Sequence, residues 1–210
     1  MNYSTPEIEF SDLATLPDHL IDLGKAALLI AKAEYPELDI PTQLQSLDSL
    51  ASASSSANDM RDEPLHAMNQ LSNYLFDELG FQGNSENYHD PRNSYLNDML
   101  TTRLGIPISL SLLYVEVGKR LGIPVVGVGM PGHFLVKHVS VDGLFIDPFS
   151  RGIILSEQEC LNIFFAMRGS NGCMESDYLR PVTNREFICR IESDDIVNRI
   201  KSRLIVTRLP

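Results

Sequence analysis

Nucleophilic or acid–base chemistry needs an attacking atom, a proton carrier and a group that orients it, and this chain offers few candidates for each. Its three cysteines, Cys160, Cys173 and Cys189, are odd in number and match no metal-ligand spacing. Cys160 falls inside an apolar helical pattern and reads as core. Ser109 and Ser111 stand on the first turns of a helix. A hydroxyl there caps or packs, and it attacks only beside a paired base and an oxyanion hole, neither of which the sequence displays. His133 and His138 lie in a β-branched, aromatic-rich run, and Asp147 closes the next such run. Taken alone, His133 is an ordinary strand histidine. A tight turn at Asp142-Gly143 would set His138 opposite Asp147, whereas a wider or bulged turn would bring His133 there. One His and one Asp fall short of the three or four ligands a metal needs, so no metal or other cofactor is expected.

A second group of polar residues precedes the same helix. Asn93, Ser94 and Asn97, with Arg103, could hydrogen-bond a ligand near the helix start. Their competing role is to cap a short helix carrying Tyr95, Leu96, Met99 and Leu100 and to hold its loop. Tyr88 and Tyr95 read as packing residues with hydroxyls at the surface.

The elements that must position these groups change character along the chain. Thr15 to Asp18 reads as a helix start, after which Leu20, Leu23, Ala27, Ile30 and Ala31 recur at helical spacing. Leu44, Leu47 and Ala51 mark a second helix that decays into a serine-rich connection at 52–57. A third begins near Asp62-Glu63-Pro64, runs through Met68, Leu71, Leu75 and Leu79, and stops at Gly80. Arg-Leu-Gly-Ile-Pro occurs at Arg103–Pro107 and again at Arg120–Pro124, with Gly105 and Gly122 suited to left-handed helix ends and the prolines to new starts. Between the copies, apolar residues fall on almost every face, which predicts a buried central helix. The period then shortens: Val125 to Met130, His133 to Val141 and Leu144 to Asp147 read as strands. Ser156 and Glu159 open another helix with a capping box. Helices followed by an antiparallel sheet give an α+β class.

Composition narrows the functions. The 210 residues are 43% hydrophobic and 21% charged, too apolar for a disordered chain. The apolar run Ala26 to Ala31 is far short of the roughly 20 residues of a membrane span. Residues 1–10 carry two acids and no base, so no secretory signal is expected, and the cysteine usage favours a reducing cytoplasm. The net charge of −11 is concentrated in residues 1–90, with three bases against sixteen acids, so neither nucleic acid nor membrane is expected as partner. The basic tail from Arg199 reads as a solvated terminus.

Four separated segments, Asn87-Tyr-His-Asp-Pro-Arg-Asn-Ser-Tyr-Leu-Asn97, Gly105-Ile-Pro-Ile-Ser109, Pro131-Gly-His-Phe-Leu135 and Ile146-Asp-Pro-Phe149, together resemble the SirB-type branch of the transglutaminase-like, cysteine-protease-fold superfamily. The likeness runs from Asn87 to Phe149 and more loosely to Glu186. It implies a papain-like core at 81–180, a helical part at 1–80 packed on it, and an extension at 181–210. Longer relatives add tetratricopeptide-like helices there, each unit taking about 34 residues. Only 22 residues follow Ile188. In active members a Cys starts the buried helix, a His opens a strand and an Asp closes the next. Aligning Gly122-Ile-Pro124 with the family's Gly-Ile-Pro puts Pro107 where that Cys would stand, while His133 and Asp147 keep their places. Proline has no nucleophilic side chain. The resemblance therefore implies a pseudoenzyme or regulatory module that binds a peptide, protein or small ligand at a His133/Asp147 cleft. The alternative is a peptidase or amidase using that pair with Ser109 or an activated water.

Overall fold

The computed structural model describes residues 12–13, 15–54, 63–168 and 176–194. The serine-rich connection beyond Ser54, Cys173 and the basic tail lie outside these residues.

Three helices come first: α1 (Leu23–Glu34), α2 (Ile40–Ala53) and α3 (Pro64–Ser72). Each start is fixed by an acid. Asp22, Asp39 and Glu63 accept from backbone N–H groups of the first turns, satisfying donors that have no partner inside the helix. The helix that carries Leu23, Ala27, Ile30 and Ala31 is thus capped by Asp22 and not Asp18. Asp18 lies in a 3₁₀ turn (Asp18–Leu20), and its carboxylate accepts from the N–H groups of Asn184 and Arg185 at 3.1 and 2.9 Å. Helix α3 continues as a π-helical stretch, Asn73–Glu78, before Gly80 ends it as the sequence predicts.

A short parallel pair, β1 (Gln82–Gly83) and β2 (Leu104–Gly105), flanks helix α4 (Leu96–Thr102). Here the sequence reading needs two corrections. Arg103, not Gly105, takes the left-handed position after α4, with φ 61°. Gly105 is needed for close approach instead: a Cβ there would lie 2.8 Å from Ser109 Oγ and 2.9 Å from Leu110 Cγ. Nor do Asn93 and Ser94 cap α4, whose cap position is Tyr95 with no side-chain bond.

Helix α5 (Pro107–Leu121) is the predicted central helix, and every residue from Pro107 to Gly118 is buried. Pro107 begins it at a position where a missing N–H costs nothing. Gly122 ends it at φ 76°, a conformation that costs a residue with a Cβ about 1 kcal/mol or more. The Tyr114 hydroxyl, fully buried, donates to the Met68 carbonyl at 2.8 Å and so ties α5 to α3. At the other end, Arg120 bridges Glu116 and Asp48, neutralising a carboxylate that is 1% exposed.

Strands β3 (Val125–Val128), β4 (Leu135–His138), β5 (Leu144–Asp147) and β6 (Ile153–Ser156) form one antiparallel sheet in chain order. Val136 and Ile146 face the main core with α5, while Leu135 and Phe145 belong to a second cluster with Cys160 and Phe164 of α6 (Glu157–Arg168). That is the period-two alternation of a sheet covered on both sides. Ser156 and Glu159 make the expected capping box of α6. Strand β6 is an addition to the sequence reading, and β4 is shorter than 133–141. The β4–β5 connection is wide: Val136 pairs with Ile146, leaving residues 139–143 as the loop in place of a two-residue turn. Helix α7 (184–194) contributes Phe187, Ile188 and Ile191 to the same core as α1 and α5, so one apolar cluster joins both ends of the described chain.

Substituting Gly105→Ala forces its new methyl group into Ser109 and Leu110. We expect about 1–3 kcal/mol of destabilisation, read as a lower urea midpoint at unchanged slope.

Candidate functional site

The wide β4–β5 connection decides which histidine meets the aspartate. Because Val136 opposes Ile146, the segment just before β4 falls beside the end of β5. His133, held by a turn in which its N–H donates to the Met130 carbonyl, puts Nε2 2.9 Å from Oδ2 of Asp147. His138 is elsewhere. Its Nδ1 accepts from the Ser140 N–H at 3.1 Å, and burial lowers its pKa, favouring the neutral ring.

Both members of the pair are buried, His133 at 8% and Asp147 at 2% exposure. The contact is close, but the His133 N–H is not directed along it, so Nε2 forms no aligned hydrogen bond. The turn after β5 holds the carboxylate. Oδ1 accepts from the N–H groups of Phe149 and Ser150 at 3.0 and 3.3 Å, and Oδ2 accepts from the Ser150 hydroxyl at 2.8 Å. Burial pushes the Asp147 carboxyl up, but the neighbouring His133 ring and the Ser150 donors outweigh it and keep the carboxyl below its ordinary 3.8.

An aromatic wall backs the pair. The Phe149 ring meets His133 edge-on at 6.2 Å, and Tyr88 packs edge-on to Phe149 at 5.9 Å. Gly83 makes room for it, since a Cβ there would sit 2.6 Å from the Phe149 ring. Gly83 pairs with Gly105, and Gly105 packs on Ser109, so the wall is continuous with the tip of α5. Ser111 donates to the Phe134 carbonyl at 3.4 Å, and Pro107 lies one turn earlier on the same helix face. That bond ties the second turn of α5 to the residue after His133.

The other sequence candidates have structural employment. Ser109, 1% exposed, accepts from the Ile106 N–H at 3.0 Å and donates to the Asn93 carbonyl at 2.6 Å. Its single proton has backbone carbonyls as acceptors, Asn93 at the shorter distance and Ile106 at 3.2 Å. The Asn93 side chain donates to the carbonyls of Asn87 and Tyr88 and accepts from Asn84, holding the loop that carries Tyr88. Arg103 donates to the Leu79 carbonyl and lies over the Phe81 ring, which makes it a clamp on the end of the third helix. Ser94 is buried on the same loop, and Asn97 keeps a buried Oδ1 without a hydrogen bond. Cys160 is no replacement nucleophile: burial first, then the negative charges of Asp147 and Glu159, push its thiol up to about 12. Sequence reasoning missed Ser150 and Phe149 as partners of the pair. Their signal was adjacency, an Asp followed by turn residues whose N–H groups can fold back on it.

Two surface depressions lie away from this pair. One of about 620 Å³ runs between α1 and α2, and one of about 380 Å³ lies beside the C-terminal end of α5. Among the described residues, no group of three or more His, Cys, Asp or Glu could hold a metal ion, and no helix is long and apolar enough to cross a membrane.

A buried helix started by proline, packed on an antiparallel sheet whose strand ends bring His133 and Asp147 together, has the make-up of a transglutaminase-like α+β core. Residues 42–193 match the family model of the transglutaminase-like superfamily, and the chain belongs to that superfamily. It is 44% identical over 154 residues to a UPF0162 protein of Xylella fastidiosa (strain Temecula1), covering 71% of this chain and 54% of that one. It is 30% identical over 169 residues to the UPF0162 protein PA3419 of Pseudomonas aeruginosa, covering 80% and 62%. It is 36% identical over 111 residues to F-box only protein 21 of Homo sapiens, covering 49% of this chain and 17% of that one. The chain thus spans about half the length of the bacterial relative from Xylella. No solved structure matches it.

Two measurements probe this geometry. A carboxylate whose pKa is depressed on folding adds stability that is present above its unfolded value and lost as pH falls through the folded one. Wild-type urea midpoints should therefore fall with acid below about pH 3.8, and Asp147→Asn should flatten that part of the profile. Ser109→Ala strips the Ile106 N–H of its acceptor inside the core and should cost about 1–3 kcal/mol in the same assay.

Proposed function

We propose that this chain is a SirB-type member of the superfamily that binds a peptide or other amide-bearing ligand at the His133–Asp147 pair without forming a covalent intermediate. The observation that carries the reading is the residue at the helix tip. Pro107 lies one turn before Ser111, which bonds the residue next to His133, and its ring offers no attacking atom. Ser109, the nearest hydroxyl in sequence, spends its proton on Asn93. What remains is an imidazole set by a carboxylate, an aromatic wall of Phe149 and Tyr88, and the positive end of a buried helix. Such a set suits recognition of a carbonyl and a flat apolar group.

The reading has a direct chemical test. Pro107→Cys should create a thiolate favoured by the helix end and by His133, alkylated by iodoacetamide with an apparent pKa about one unit or more below 8.5. A further His133→Ala change should return that thiol to ordinary reactivity, followed by mass spectrometry of the peptide containing residue 107. Ordinary reactivity in both variants would remove the helix tip from the site. The wild-type chain, titrated with a set of amide-capped dipeptides, should show saturable shifts of the His133 and Phe149 resonances that Asp147→Asn weakens. Absence of any saturable shift across the set overturns the binding role, and a covalent adduct of a serine-directed probe on Ser109 would favour the hydrolase reading instead.

A further inference from the structure

The turn after β5 does more than end a strand. Asp147 Oδ1 is pinned by two backbone N–H groups, which any pair of residues at 149 and 150 other than proline could supply. Oδ2, the oxygen that faces His133, has one other partner, the Ser150 hydroxyl at 2.8 Å. Oδ1 is therefore a pivot, and the rotation of the carboxylate about it depends on a side chain. Ser150 is itself exposed and outside both apolar clusters, so the core does not explain its position.

We propose that Ser150 is the positioning residue of the site: its hydroxyl fixes the plane of the Asp147 carboxylate and thereby the orientation and tautomer of His133. The assignment rests on the reading of His133 and Asp147 as a functional pair. An anionic oxygen 2.9 Å from Nε2 repels a lone pair on that nitrogen, so even without an aligned hydrogen bond it favours the tautomer with its proton on Nε2 and leaves Nδ1 as the acceptor. With Ser150 in place, Oδ2 stays where it selects that tautomer. Without it, the carboxylate can swing about Oδ1, the selection weakens, and the carboxylate loses a donor that stabilises its charged form.

The test uses the full chain labelled for NMR, as wild type, Ser150→Ala, Ser150→Thr and Asp147→Asn. In Ser150→Ala we expect the ¹⁵N shifts of His133 to move toward a mixture of tautomers and the Asp147 carboxyl to titrate higher by about half a pH unit. Ser150→Thr, which keeps the hydroxyl, should behave as wild type in both readouts. Equal urea midpoints for the three residue-150 chains separate positioning from loss of fold. If Ser150→Ala leaves the tautomer and the titration unchanged while Asp147→Asn alters the His133 shifts, the role assigned to Ser150 is wrong and the pair stands. If Asp147→Asn also leaves His133 unaltered, the pair itself is not a unit. A Thr variant that matches Ala assigns the effect to something other than the hydroxyl and overturns the proposal.

Discussion

A helix buried from its first residue must satisfy that end from inside the protein, and α5, buried from Pro107 to Gly118, is such a helix. That constraint organises the surroundings of its first turn. Pro107 removes one backbone donor altogether, and Ser109 turns back to accept from the Ile106 N–H. The serine proton then fixes the Asn93 carbonyl, and the Asn93 side chain fixes the loop bearing Tyr88. Tyr88 and Gly83 set Phe149, and Phe149 sets the edge of the His133 ring. A chain of local hydrogen bonds and ring contacts thus connects the solvation of a helix end to the orientation of an imidazole.

Much of this was legible in the order of residues. A run with apolar side chains on every face has one stable home, the middle of the core, and α5 is there. The capping box at Ser156 and Glu159 formed as its spacing required, because both hydrogen bonds are local. Failures came where tertiary contacts chose between locally equivalent options. Arg103 adopts a left-handed conformation although Gly105 stands two residues on, because Gly105 is needed for packing and Arg103 is rewarded by Leu79 and Phe81. Asn93 could cap a helix or hold a loop, and only the position of Asn84 and Asn87 decides. The pairing of His133 with Asp147 hinged on the length of one connection, and turn-forming residues at 142–143 do not by themselves fix that length.

Placing proline at the start of α5 has two physical readings that support each other. It lowers the number of unsatisfied donors in a dry environment, and it removes any side chain that could attack a carbonyl. The His133–Asp147 contact comes at the cost of burying a carboxylate that needs three donors from its own turn to remain charged.

The clasp between Asp18 and the N–H groups of Asn184 and Arg185 carries a consequence for how the chain reaches this state. The hydrogen-bonded groups are 166 and 167 positions apart, and Phe187, Ile188 and Ile191 fill the same core as α1. During synthesis the leading helices emerge long before the segment that covers them, so they wait with apolar surface uncovered. Closure of the core is therefore a late event in the life of each molecule, completed only when its trailing helix arrives.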